Sequence, residues 1–151
     1  MGIKLEEGIS KNNIELLCHW SNEQGSAFHE QWVGSQIPYP LTCEKIQKLK
    51  NKFSIFNDEE FIGMIQEVRI EEENIHIGRF VLNPKKIGLG FGTEALKEFI
   101  DFIFKDKNIR SISLTVFDFN KNAKQVYDRL GFVADEVIET PKLKYIMKKH
   151  R

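Results

Sequence analysis

The stretch Ile87-Gly88-Leu89-Gly90-Phe91-Gly92-Thr93 sets glycine at alternate positions between a strand pattern and the start of a helical one. Without Cβ atoms, the backbone there can come close to an anion. The N–H groups of a helix start then point at that anion with the helix dipole behind them. Lys85 and Lys86 add positive charge beside the loop. Pyrophosphate binding is the chemistry this arrangement favours. Two familiar phosphate loops fit poorly. A P-loop needs Lys after its last glycine, whereas Thr93 follows Gly92. A dinucleotide-binding G-x-G-x-x-G/A would have Thr93 at its third position, and it should open the first βαβ unit. Three strand patterns precede this loop.

Tyr127 lies on an apolar helical stripe with Ala123, Val126 and Leu130, at i, i+3, i+4 and i+7. By itself that reads as a half-buried packing residue whose hydroxyl has found a hydrogen-bond partner. Asn120 caps that helix and Gly131 ends it. The 4 histidines, His19, His29, His76 and His150, have no H-x-x-x-H spacing, so no metal site is expected. His76 falls in a strand pattern, either as a proton acceptor or as a satisfied structural histidine.

Periodicity supplies the elements that must hold these residues. Ile14, Leu17 and Cys18 share one helical face. Thr42 caps a second helix, with Leu41 and Ile46 as a hydrophobic staple. Between them, residues 21–40 read as a long irregular segment carrying Phe28, His29, Trp32 and Tyr39. A loop of that length is more often functional than idle, and its aromatics could orient a substrate or pack on the core. Residues 53–56, 61–70 and 75–82 are β-rich and separated by turn signals, as in an antiparallel meander. Gly78 inside the third run marks a bulge or a close approach. Leu96, Phe99, Ile100, Ile103 and Phe104 make residues 93–105 a helix, and Ile112, Leu114 and Val116 alternate as a strand. After the Tyr127 helix, residues 132–138 and 142–147 give two last strands. The order predicts one mixed α/β domain whose sheet has helices on its faces.

Composition narrows the classes. At 151 residues, with 41% hydrophobic and 29% charged side chains, the chain suits a single globular domain. Its 22 basic residues balance 22 acidic ones, so no overall field draws in nucleic acid or an acidic membrane. Cys18 and Cys43 form no CxxC pair and suit a reducing compartment. Glu6 and Glu7 stand where a signal peptide would be apolar, and the densest apolar stretch, around Phe99 to Phe104, is interrupted by Asp101. A soluble, cytoplasmic domain is expected. The sequence leaves a homodimer open.

The glycine loop resembles motif A of the GNAT superfamily of acyl-CoA-dependent N-acyltransferases, [QR]-x-x-G-x-[GA]. Gly90 and Gly92 match, and Ile87 departs from the usual Gln or Arg. Asn120, Ala123, Tyr127, Gly131 and Phe132 match the same family's N-x-x-A-x-x-x-Y-x-x-x-G-F pattern at every named position. Pro84 also agrees. The chain is identified on these motifs as a GNAT-type acetyltransferase, with a mostly antiparallel central sheet.

The resemblance implies acetyl transfer from acetyl-CoA to a primary amine by direct attack within a ternary complex. It implies pyrophosphate at Ile87, Gly88, Leu89, Gly90, Phe91, Gly92 and Thr93, and pantetheine along the backbone of Phe80, Val81 and Leu82. Asn120 and Ala123 belong to the same acetyl-CoA site, and Tyr127 is the acid for the departing thiolate. Phe28, His29, Trp32 and Tyr39 are acceptor candidates. His76, Glu67, Asp118 or an ordered water chain remain open as the base. A GNAT-fold module that binds acyl-CoA without turnover is the alternative.

Overall fold

A computed structural model describes residues 2–151. Seven strands form one sheet in the order β1-β2-β3-β4-β5-β7-β6. Strand β1 (Ile3–Glu7) pairs antiparallel with β2 (Lys52–Asn57), and β2 continues through β3 (Glu60–Glu71) into β4 (Asn74–Leu82) as the expected meander. Strand β5 (Ser111–Phe117) lies parallel to β4. Strands β6 (Val133–Ile138) and β7 (Lys144–His150) complete the sheet, with β7 inserted between β5 and β6. A mixed, mostly antiparallel sheet was the expectation, and it is what the chain forms.

Helices cover both faces. On one face α1 (Lys11–Glu23), α2 (Ser26–Trp32) and α3 (Cys43–Gln47) build a core from Ile14, Leu17, Trp32 and Ile46 against Met64 and Val81. On the other, α4 (Phe91–Phe104) and α5 (Lys121–Arg129) pack over Ile62, Ile77, Ile112 and Val116. The Thr42 staple forms as expected: its hydroxyl accepts from the Lys45 N–H, and Leu41 and Ile46 are both buried.

Two readings of the sequence need correction. Residues 21–40 are not irregular throughout. Helix α1 runs to Glu23, and after Gly25 the chain winds α2, which buries His29 and Trp32. The region before β2 thus holds three helices rather than two. The Trp32 indole N–H donates to the buried Ser21 hydroxyl at 2.9 Å and ties α2 to α1. Helix α4 also begins at Phe91, earlier than residue 93, because Gly90 takes the left-handed conformation (φ 85) at its N-cap.

Candidate active site

The site starts from a gap in the sheet. Strands β4 and β5 pair only from Asn74 to His76 against Ser111 to Ser113. Beyond that they part. A bulge in β4 shifts its register with β3 between Gly78 and Val81, next to the glycine that signalled it. The Asn83 N–H still donates to the Ile62 carbonyl at 2.7 Å. Alternation along the strand therefore turns the N–H and C=O of Leu82 away from β3 and into the opening.

A cleft of about 620 Å³ occupies this gap, lined by Phe80, Val81 and Leu82 on one side and Leu114 to Phe117 on the other. Ile87, Asn120 and Tyr127 line it from the face of α4 and α5, and Phe28 and Trp32 from the face of α2. His29 and Tyr39 are not part of its wall. The His29 Nε2 lies 2.6 Å from the Ile37 carbonyl, and the Tyr39 hydroxyl donates to the Asn22 carbonyl.

The glycine loop stands over the end of β4. A Cβ built at Gly92 would lie 3.5 Å from Leu82 Cδ1 and 3.8 Å from the Phe80 ring. Gly88 and Gly90 both have φ near +85, and a Cβ at either would meet nothing within 4 Å. No side chain caps α4, so its first N–H groups keep no side-chain acceptor. Together with Phe91, Gly92 and Thr93 of the first turn, Gly88, Leu89 and Gly90 form an open cradle suited to an anion.

Helix α5 positions the phenol. Asn120 accepts from the Ala123 N–H, and the helix ends with Phe132 N–H donating to the Tyr127 carbonyl and Gly131 N–H to that of Asp128. These two bonds form a Schellman closure, which Gly131 accommodates at φ 95. It brings the Phe132 ring edge-on to Tyr127, 6.0 Å between centroids. No residue of α5 is fully buried, although Ala123, Val126, Tyr127 and Leu130 pack on the core. Part of that stripe faces the cleft instead. The Tyr127 hydroxyl has no hydrogen-bond partner among the described residues and is not sealed off. Burial of the ring pushes its pKa up to about 12, so it stays protonated at neutral pH.

The three side-chain base candidates separate. Glu67 lines a different cavity, with Glu7 and Phe102 on the α4 face. Burial and the nearby Glu7 raise its pKa. Asp118 accepts from the Tyr145 hydroxyl at 2.8 Å and pairs with Lys121 at 3.1 Å. Those bonds hold it below the usual carboxylate range, which makes it a weak base. His76 is the one in the cleft, where β4 and β5 diverge. Its Nδ1 lies 2.8 Å from Ser113 Oγ and its Nε2 3.2 Å from Thr115 Oγ1.

Burial and then Arg69 push the His76 pKa down to about 4, with Glu71 opposing weakly, so the ring is neutral at neutral pH. A stability effect follows. Between pH 6.5 and 4 the unfolded chain takes up a proton that the folded ring refuses. Stability at this site should be full above pH 6.5 and fall as pH drops towards 4, by up to about 3 kcal/mol. Melting curves across that window should be flatter for His76→Gln than for the unaltered chain. Equal slopes would mean that the ring protonates freely in the folded protein.

Arg79 was missed in the sequence. It follows Gly78 in the bulge and lines the cleft on the α2 face. Its neighbour's bulge signal could have pointed to it. Among the described residues no group of three His, Cys, Asp or Glu side chains could hold a metal ion, and no helix is long and apolar enough to cross a membrane.

Known proteins agree with this architecture. Residues 14–132 match the acetyltransferase (GNAT) family. The acetyltransferase PseH of Campylobacter jejuni is 24% identical over 129 residues, covering 82% of this chain and 79% of the relative. A chimera of spermidine N-acetyltransferase SpeG from Vibrio cholerae and hSSAT superposes with TM-score 0.80 at 16% identity, covering 99% of this chain and 96% of that one. AAC(6')-Ib, solved with paromomycin and acetyl-CoA, gives TM-score 0.78 at 19% identity, covering 100% of this chain and 94% of that one. The chain belongs to the GNAT acetyltransferase family and is an acetyl-CoA-dependent acyltransferase.

Proposed function

We propose that this chain moves an acetyl group from acetyl-CoA to a primary amine by direct attack. The observation that carries the reading is the parting of β4 from β5 directly between an uncapped glycine turn and an unpartnered tyrosine hydroxyl. Pyrophosphate would lie on the N–H groups from Gly88 to Thr93, with pantetheine along Phe80 to Leu82 in the place of a missing strand partner. The Leu82 N–H would polarise the thioester carbonyl. The amine nitrogen forms the new C–N bond as the C–S bond breaks, and Tyr127 protonates the sulfur that leaves. The proton lost by the amine goes to water reached through the cleft, because the His76 ring is too weakly basic at a pKa of about 4, and water returns a proton to the Tyr127 phenolate to close the cycle. Phe28 and Trp32 would wall the acceptor side.

Titrating a panel of amines while following release of the CoA thiol tests this reading. Turnover with at least one primary amine is expected. Acetyl-CoA binding without turnover on any amine would favour a non-catalytic acyl-CoA module, the reading that Ile87 in the glycine loop keeps in play.

A further inference from the structure

The cleft has two chemically different faces. The glycine loop and Tyr127 belong to the α4 and α5 face, where acetyl-CoA would bind. The opposite face, under α2, carries Arg79. Its Nε donates to the Val33 carbonyl at 2.9 Å, and its Nη1 donates to Gln66 Oε1 at 2.8 Å. Gln66 is buried and held in turn by the Lys50 carbonyl. The guanidinium is thus clamped by neutral groups, and no carboxylate among the described residues forms an ion pair with it. Arg79 also sits at φ 44, a left-handed conformation that a long side chain rarely adopts.

A half-buried cation without a counter-charge is unfavourable, and so is that backbone conformation. Both occur in one residue on the wall of the cleft. The remaining charges do not compensate. Arg69 pairs with Glu71, Lys142 pairs with Glu30, and Lys144 stands over the Phe117 ring with no carboxylate of its own among the described residues. His76 is neutral. The acceptor face therefore keeps two uncompensated cations, Arg79 and Lys144. CoA phosphates do not account for them, since their cradle lies on the other face.

We propose that the acceptor is an amine that also bears an anionic group, a carboxylate or a phosphate, which the free edge of Arg79 receives while the amine points at the thioester. This rests on the acetyl-transfer reading and extends it to the substrate class. It sets the chain apart from its structural neighbours named for spermidine or solved with an aminoglycoside. Polycationic acceptors of that kind would meet repulsion here.

Matched acceptors test it. Thiol release is measured with β-alanine against propylamine, with 2-aminoethyl phosphate against ethylamine, and with spermidine. One anionic member should exceed its neutral partner at least tenfold in kcat/KM, and which pair responds tells carboxylate from phosphate. Arg79→Gln should remove that preference through KM, bringing the kcat/KM ratio of each anionic amine to its neutral partner close to one, with the KM for acetyl-CoA unchanged. Arg79→Lys, which keeps the charge and loses the fork, should retain part of it. The same compounds are also tested as ligands by thermal shift, each variant against its own unliganded melting point. No turnover with any amine, but an anion-dependent shift lost in Arg79→Gln, would overturn acetyl transfer and uphold the anion site. Preference for spermidine, equal use of both members of each pair with no anion-dependent shift, or equal loss on all amines in Arg79→Gln would overturn the proposal.

Discussion

Tyr127→Phe should lower kcat by about 10²–10⁴-fold, roughly 3–5 kcal/mol of barrier, with CoA binding unchanged. The substitution is clean because the hydroxyl bonds to nothing in the protein among the described residues. The ring keeps its edge contact with Phe132, and the Schellman closure of α5 is a backbone feature. Only the hydroxyl, with the proton it can donate, is removed. A pKa of about 12 makes the phenol a reluctant acid by itself. A thiolate departing into the same cleft is desolvated too, which raises its proton affinity in the same direction as that of the phenol. Thiol release under saturating acetyl-CoA reads kcat, and thermal shift with CoA reads binding. Wild-type turnover in the variant would mean that the sulfur leaves unaided or takes its proton from elsewhere. A lost CoA shift would mean that the hydroxyl serves binding instead.

What the sequence disclosed depended on how local each feature is. The N-cap at Asn120, the Thr42 staple and the turn at Gly131 are settled within a few residues, and all three form as read. Helix α2 was illegible because its 7 residues make too few turns for a period to appear. Its apolar side chains, Phe28 and Trp32, looked like loop aromatics for that reason. The cleft itself is not local at all. It arises where the β4–β5 ladder stops after His76, a property of two strands far apart in sequence. Glu67 illustrates a related limit. Alternation in β3 sets it on the face opposite Gln66 and Arg79, and of the register shifts on its two sides only the one opposite Gly78 had a signal in the sequence. Its chemistry was legible, but the face it would serve was not.

Gly90→Asp should abolish the thermal stabilisation that CoA and acetyl-CoA give the unaltered chain, while the fold survives. Two features keep the variant folded in spite of the strain of a left-handed side-chain residue: a Cβ at Gly90 meets nothing within 4 Å, and Asp tolerates that conformation better than most residues. The carboxylate would then stand at the uncapped N–H groups, in the place of the phosphate and with the same sign of charge. For the unaltered chain at a hundred times Kd, ligand binding contributes about 2.7 kcal/mol, which in a domain of this size raises the melting temperature by about 5–10 °C. Nicotinamide dinucleotides should give no such rise, because Thr93 stands where their loop requires a third small residue. An equal CoA shift in Gly90→Asp would put the pyrophosphate somewhere other than this turn. A variant that melts near the unaltered temperature without ligand, yet ignores CoA, would assign the loss to the anion cradle alone.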